Sequence, residues 1–328
     1  MWILKDSLAA GGTKRYILSA GSEPHEATQT VKVQTSDRAL RIEVEGKPVL
    51  QYNIGIVPSD DPKEPAYGRS GFIHPIYNPS GQVVTEAMPP DHMHQHGLMF
   101  AWVNTTFEGR TVDFWNSYKH EELVRHTTLL GSESGPVFGA FTAALDHVEL
   151  KAPGGEKVTL HETWVVHVYQ HAGGFLFDLQ STQTCASESP LRINQNAYGG
   201  MAIRGTPQWF GKGKCEFLTG EGKTLADGNH TRTRWCEIFG TVGDHVSGIA
   251  TLSHPSNYNS PQPLRLHPEK PYLCWAPMVT APFSIEPANS YVSAYRLYIH
   301  EGKPNAVATD ALWADYADPP VVRMVDGN

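Results

Sequence analysis

The chain has 328 residues, a formal net charge of −8 and no cluster of Lys and Arg beside its aromatic residues, so nucleic acid is not expected as a partner. No apolar run reaches the roughly 18 residues of a membrane helix, so no membrane partner is expected. Its 30 glycines and 24 prolines suit many turns between short strands, and its four cysteines form no C-x-x-C pair for zinc or redox chemistry.

The start, Met1 to Asp6, lacks the apolar core of a secretory signal, which makes the cytoplasm the simplest expected location. Alternation predicts a strand over 40–45, turned by Gly46-Lys47 into a second over 48–52. Next comes the most unusual stretch, Pro89-Pro90-Asp91-His92-Met93-His94-Gln95-His96-Gly97, with an apolar run at 98–103. In an extended strand, side chains two apart share a side. His92, His94 and His96 would then form one row, continued by Leu98, Phe100 and Trp102. Met99, Ala101 and Val103 on the other parity are also apolar, so both faces should be buried. Imidazole binds metal, shuttles protons or grips hydroxyls, so this row marks the rim of a pocket. A single histidine at a sheet edge is commonly no more than a satisfied polar group; three beside Asp91 point to a site. The cofactor expectation is none or one divalent metal ion, with His92, His94 and His96 as candidate ligands. A zinc site would need further ligands from elsewhere.

Downstream, residues 110–116 bring Asp113, Trp115 and Asn116 together. Trp115 could stack on the C–H face of a sugar and Asn116 read hydroxyls, although a lone tryptophan more commonly anchors a loop. Strands are predicted at 144–150 and 158–169, joined through Pro153-Gly154-Gly155. In the second, Leu160, Glu162, Trp164, Val166 and Val168 share one face, and Glu162 alone among them is ionisable. Burial raises a carboxyl pKa, which makes a general acid or base near neutral pH. The alternative is a structural glutamate paired with an arginine.

After a strand at 175–180, the stretch 194–204 supplies Asn194, Gln195, Tyr198 and Arg204. Such neutral hydrogen bonders ending in arginine suit a polyol or a sugar carboxylate. They equally suit a Gly-Gly turn with a structural arginine. Strands follow at 236–241, 246–252 and 291–300. Between the last two, a His-Pro-Ser-Asn loop could deliver His254 or Asn257 to a pocket, or be only a rigid tip. Near the last strand, Arg296 could partner a buried carboxylate. Residues 309–316 form the best short helix candidate. Many strands at close spacing, with little helical periodicity, predict an all-β fold: a large antiparallel β-sandwich in one domain over 1–328.

Taken in order, several segments resemble the bacterial family DUF6807, which often carries the label "methane oxygenase PmoA". They are Gly46-Lys47-Pro48 with Tyr52, His74-Pro75-Ile76-Tyr77 with Pro79-Ser80-Gly81, Pro90-Asp91-His92 through Gly97, and Asp113-Phe114-Trp115. Tyr198-Gly199-Gly200 through Arg204, Arg234-Trp235-Cys236, His254-Pro255 with Asn257, and Tyr295-Arg296 continue the set. The resemblance covers roughly residues 30–302, leaving a short C-terminal extension at 303–328. The strand-rich layout looks like the galactose-mutarotase-like supersandwich. That resemblance implies sugar chemistry, with histidines on a central strand and a carboxylate on a facing one, although the order and spacing here do not reproduce the mutarotase motifs.

The leading functional expectation is a carbohydrate-active enzyme, an epimerase, lyase or hydrolase. His94 or His96, with His92, would serve as acid and Glu162 as base. Asp91, Trp115, Asn116, Asn194, Gln195, Tyr198, Arg204, His254 and Asn257 would hold a small sugar or glycoside. One alternative is a metal enzyme using the histidine row. It would not be a cupin, because no glutamate follows the H-x-H pair at the required distance. A further alternative is a non-catalytic sugar-binding module.

Overall fold

A computed structural model describes residues 8–9, 11–17 and 30–323. The amino-terminal stretch Met1 to Asp6 and the last part of the C-terminal extension lie outside them. In chain order the strands begin with β1 (Val31–Thr35), β2 (Ala39–Val44), β3 (Lys47–Asn53), β4 (Ile73–Ile76) and β5 (Leu98–Ala101). Then come β6 (Thr105–Phe107), β7 (Arg110–Val112), β8 (Glu122–Glu133), β9 (Phe138–Glu149) and β10 (Lys157–Tyr169). They continue with β11 (Phe175–Cys185), β12 (Leu191–Ile193), β13 (Gly200–Arg204), β14 (Cys215–Thr219) and β15 (Trp235–Val242). The last are β16 (His245–Ser253), β17 (Leu264–Leu266), β18 (Tyr272–Trp275), β19 (Phe283–Ile285) and β20 (Tyr291–Glu301), followed by one helix, α1 (Ala306–Ala317).

Every strand pairing is antiparallel, and the expected all-β sandwich is what forms. One eight-stranded sheet runs β1-β2-β3-β4-β5-β13-β18-β17, and the other runs β14-β15-β16-β20-β11-β10-β9-β8. A small sheet, β19-β12-β6-β7, completes the set. Alternation of apolar side chains drives the stacking, because each sheet must bury one face. Bonds across the interior show which faces meet. Trp102 donates to Gln183 at 2.6 Å and Trp275 to Thr251 at 3.1 Å, while Tyr52 packs on Phe141.

The register fixes what lies on the opposite face of the first sheet. Met201 pairs with both Phe100 and Trp275 and so points inward. Ala202 with Met99 and Cys274, Arg204 with Tyr272, and Arg265 with Cys274 therefore point outward. That outward face carries the candidate site.

The helix expected at 309–316 extends over Ala306–Ala317, capped by the Asn305 side chain, which accepts from the Ala308 N–H at 3.1 Å. It covers the outer face of the second sheet at β15 and β16. Leu312, Trp313 and Tyr316 pack on Trp235, Ala250 and Leu252, and Trp235 donates to Asp310 at 2.7 Å. No helix is long and apolar enough to cross a membrane among the described residues.

Candidate functional site

The histidine stretch is not a strand. Pro89 and Pro90 have no N–H for a ladder, and the chain coils instead. The N–H of His92 donates to Pro89 O at 2.9 Å, that of Gln95 to His92 O at 2.9 Å, and that of Met88 to Gln95 O at 2.8 Å. Gly97 ends the coil at φ +54°, where a Cβ would lie 2.4 Å from Ile73 O, so β5 starts only at Leu98. The three imidazoles consequently do not form one row. His92 and His94 meet edge to face with ring centroids 5.2 Å apart. His96 turns inward, is 1 % exposed, and sets its two ring nitrogens 3.0 Å from His94 O and 2.9 Å from Tyr67 O. Burial, then the charge of Arg69, lowers its pKa to about 3, so the ring is neutral and can donate to only one of the two carbonyls. His96 is therefore removed from the expected catalytic set, because neither nitrogen faces open space.

Arg204 anchors the coil. Its guanidinium, 1 % exposed on the outward face of β13, grips Asp91 through two bonds of 2.7 and 3.1 Å and also reaches Gln95 and Glu86. Lys270 adds a second cation, 3.2 Å from Asp91 Oδ2. Burial alone would raise Asp91, but Arg204 and then Lys270 outweigh it and hold the carboxyl at about 2. The expectation that Arg204 grips a sugar carboxylate is corrected here: Asp91 and Glu86 are its partners.

The result is a cleft of about 390 Å³ lined by Glu64, Tyr67, Pro90, Asp91, His92, Met93, His94, Asn116 and Tyr118. Two short 3-10 turns, Pro65–Tyr67 and Ser117–Lys119, supply the tyrosines. Asn116 is aimed by Asp113, whose carboxylate accepts from the Asn116 amide at 2.8 Å and from the backbone N–H groups of Trp115 and Asn116 at 3.0 Å each. His92 lies beside Lys270, whose Nζ is 2.7 and 3.4 Å from its two ring nitrogens, while Asp91 is 3.1 Å from Nδ1. Burial, then Lys270, lowers the His92 pKa. Burial, then His92 and Lys270, brings His94 to about 4. The cleft thus offers two imidazoles that are uncharged at neutral pH.

Other expected residues fall elsewhere. Trp115 is 1 % exposed and backs His94 at 6.4 Å and Tyr198 at 5.6 Å between ring centroids, so its faces are spent on packing and not open to a sugar. Asn194 donates to Thr106 and Gln195 to Val279 O, away from the cleft lining. Asn257 ties its loop to Ser253 and Ala294, with the Ser253 hydroxyl in turn on the buried Gln262, and His254 accepts from the Ser256 N–H and packs on Tyr316 of α1; neither lines the cleft.

Glu162 also departs from expectation. Its parity is right, since it faces the interior, but its carboxylate accepts from His147 at 2.8 Å, Trp164 at 2.7 Å, Ser181 at 2.5 Å and Gln183 at 3.1 Å. Burial would raise it; the His147 bond and charge, then Ser181 and Trp164, outweigh burial and lower it. A fully enclosed carboxylate so saturated by donors is no base for a ligand in the cleft. Arg296, expected to partner a buried carboxylate, holds the partly buried Asp178 at 2.7 and 2.9 Å.

Among the described residues no three His, Cys, Asp or Glu side chains are arranged to hold a metal ion. The histidine row does not converge as a ligand set, since His96 points away and the Lys270 ammonium sits against His92. Residues missed from sequence include Lys270 and His267, whose ring is 6.0 Å from that of His92. The signal was present as His267-Pro268-Glu269-Lys270-Pro271, a proline-bounded turn carrying two cationic-capable side chains.

The chain belongs to the family of unknown function DUF6807, which matches residues 39–314. No protein of curated function matches it. Among solved structures it is similar to the heparan sulfate lyase HepC from Pedobacter heparinus, at 9 % identity and TM-score 0.38, over 90 % of this chain and 38 % of that one. It is also similar to an alpha-galactosidase from Lactobacillus brevis, at 7 % identity and TM-score 0.41, over 87 % of this chain and 41 % of that one. A galactose mutarotase related enzyme from Lactobacillus acidophilus matches at 6 % identity and TM-score 0.35, over 84 % of this chain and 100 % of that one. The chain spans about two fifths of the length of the lyase and the galactosidase.

Proposed function

We propose that the cleft binds a sugar or glycoside and performs acid-base chemistry on it, with His92 and His94 as the proton-carrying groups. The observation behind this reading is two imidazoles kept uncharged beside an amide and two phenols in a cleft of about 390 Å³. A neutral imidazole takes a proton in one step and returns it in the next, as epimerisation, elimination and glycoside cleavage all require. Asn116 and Tyr118 supply hydroxyl-reading groups. Tyr67 stays a donor, because burial and then the Glu64 charge raise its phenol pKa. Asp91 is reserved for Arg204 and Lys270, and its role is to hold the coil that carries both histidines.

Turnover of a saccharide panel tests the reading, with His94→Gln as the decisive variant. The variant should fold normally, and turnover should drop by about two to four powers of ten. Turnover unchanged in folded His94→Gln protein would remove the proposed chemistry. Saccharide binding in the cleft without turnover by the wild type would make the chain a sugar-binding module.

A further inference from the structure

The β17–β18 hairpin carries three donors on the outward face, next to the cleft, and none of them has a carboxylate of its own to spare. Arg265 and His267 are two apart and share that face; the Arg265 guanidinium makes no ion pair among the described residues, although Arg265 is only half-exposed. His267 Nδ1 accepts from the Glu269 N–H at 3.2 Å. A backbone N–H can only donate, so the proton of the neutral ring sits on Nε2, which is a donor. Lys270 completes the group. Its one nearby carboxylate, Asp91, is already taken by two bonds from Arg204. The carboxylate of the hairpin itself, Glu269, makes no ion pair with any of the three among the described residues.

Resting on the sugar reading above, we propose that this hairpin is an oxyanion subsite at the side of the cleft, and that the ligand is an acidic sugar whose carboxylate or sulfate is met by Arg265, His267 and Lys270. A ligand anion supplies the acceptor that Arg265 and His267 lack and a second one for Lys270, which otherwise shares Asp91 with Arg204, and planar guanidinium suits it bidentately. The same anion would act on the chemistry. Burial, then Lys270, Arg265 and His92, holds His267 at about 4. Positive neighbours also depress His92 and His94. A bound negative charge offsets those neighbours and makes each imidazole a better proton acceptor, so an acidic substrate would switch on its own base.

Two titrations test the subsite on the full chain. The first uses sodium sulfate and sodium acetate, each alone, and follows the side-chain nitrogen resonances of His267 by NMR. Saturable shifts that vanish in Arg265→Gln are expected; no shift with either anion overturns the subsite whatever the sugar reading. Sulfate acting without acetate, or the reverse, assigns the group. The second compares galacturonate, galactose 6-sulfate and galactose by calorimetry. An acidic sugar should bind about ten- to a hundredfold more tightly than galactose, with the difference lost in Arg265→Gln and in His267→Gln. Equal affinities for neutral and acidic sugars would overturn the subsite and leave the sugar reading intact. An anion response without affinity for any sugar would overturn the sugar reading and reduce the hairpin to a site for an adventitious ion only, which also ends the acidic-sugar proposal.

Discussion

At the scale of single residues, the site depends on how charge is partitioned. Arg204 and Lys270 both spend themselves on Asp91, and the imidazoles beside them are left neutral. A nitrogen-detected titration of His94 should therefore show its midpoint near 4; a midpoint at the ordinary 6.5 would mean that the ring is neither buried nor crowded by cations. The residue types were legible in the sequence. Asp91, His92 and His94 were picked out from composition and spacing, and all three line the cleft. Their geometry was not legible. Strand alternation assumes a ladder, and two consecutive prolines cannot supply one, so His96 left the row. Arg265, His267 and Lys270 were missed because a proline-bounded turn has no periodicity to mark which side chains converge.

At the scale of elements, β10 shows how parity can be right while chemistry is wrong. The alternation around Glu162 correctly puts it in the interior with Trp164 and Val166. What alternation cannot show is the partner strands, and those bring His147 from β9 and Ser181 and Gln183 from β11. Four donors turn a would-be base into a structural anion. Removing its charge strands a set of donors oriented for it, so Glu162→Gln should lower stability by about 3–5 kcal/mol, read as a shifted denaturant midpoint. Stability unchanged in that variant would return Glu162 to the list of functional candidates. The sign with pH follows from the lowered pKa. The contribution of Glu162 is complete above its ordinary 4.5 and is lost as pH falls through the lower folded value.

At the scale of the whole molecule, two sheets share one interior, and the two outer faces have different fates. The face of the second sheet is closed by α1 over β15 and β16, with Trp313 donating to Ser253 O at 2.9 Å and its ring under Arg234. Ending the chain before Ala306 uncovers Trp235 and Leu252, and the thermal midpoint should fall by roughly 5–10 °C; an unchanged midpoint in calorimetry would mean that the helix adds nothing to the sandwich. The outward face of the first sheet is covered by loops instead: Ala202, Arg204, Tyr272 and Cys274 are buried, and the histidine coil, the two 3-10 turns and the β17–β18 hairpin gather there. The strands at 40–52, 144–180 and 236–252 were readable from alternation, which is why the architecture was legible; the loops that build the cleft were not. The central claim is that the cleft among these loops, at His92 and His94, is where a sugar binds. The most direct measurement is the histidine side-chain nitrogen spectrum during titration with neutral and acidic monosaccharides. The account predicts saturable shifts at His92 and His94, with the enclosed His96 and the distant His254 unmoved. Shifts confined to His254, or none at any histidine, would contradict it.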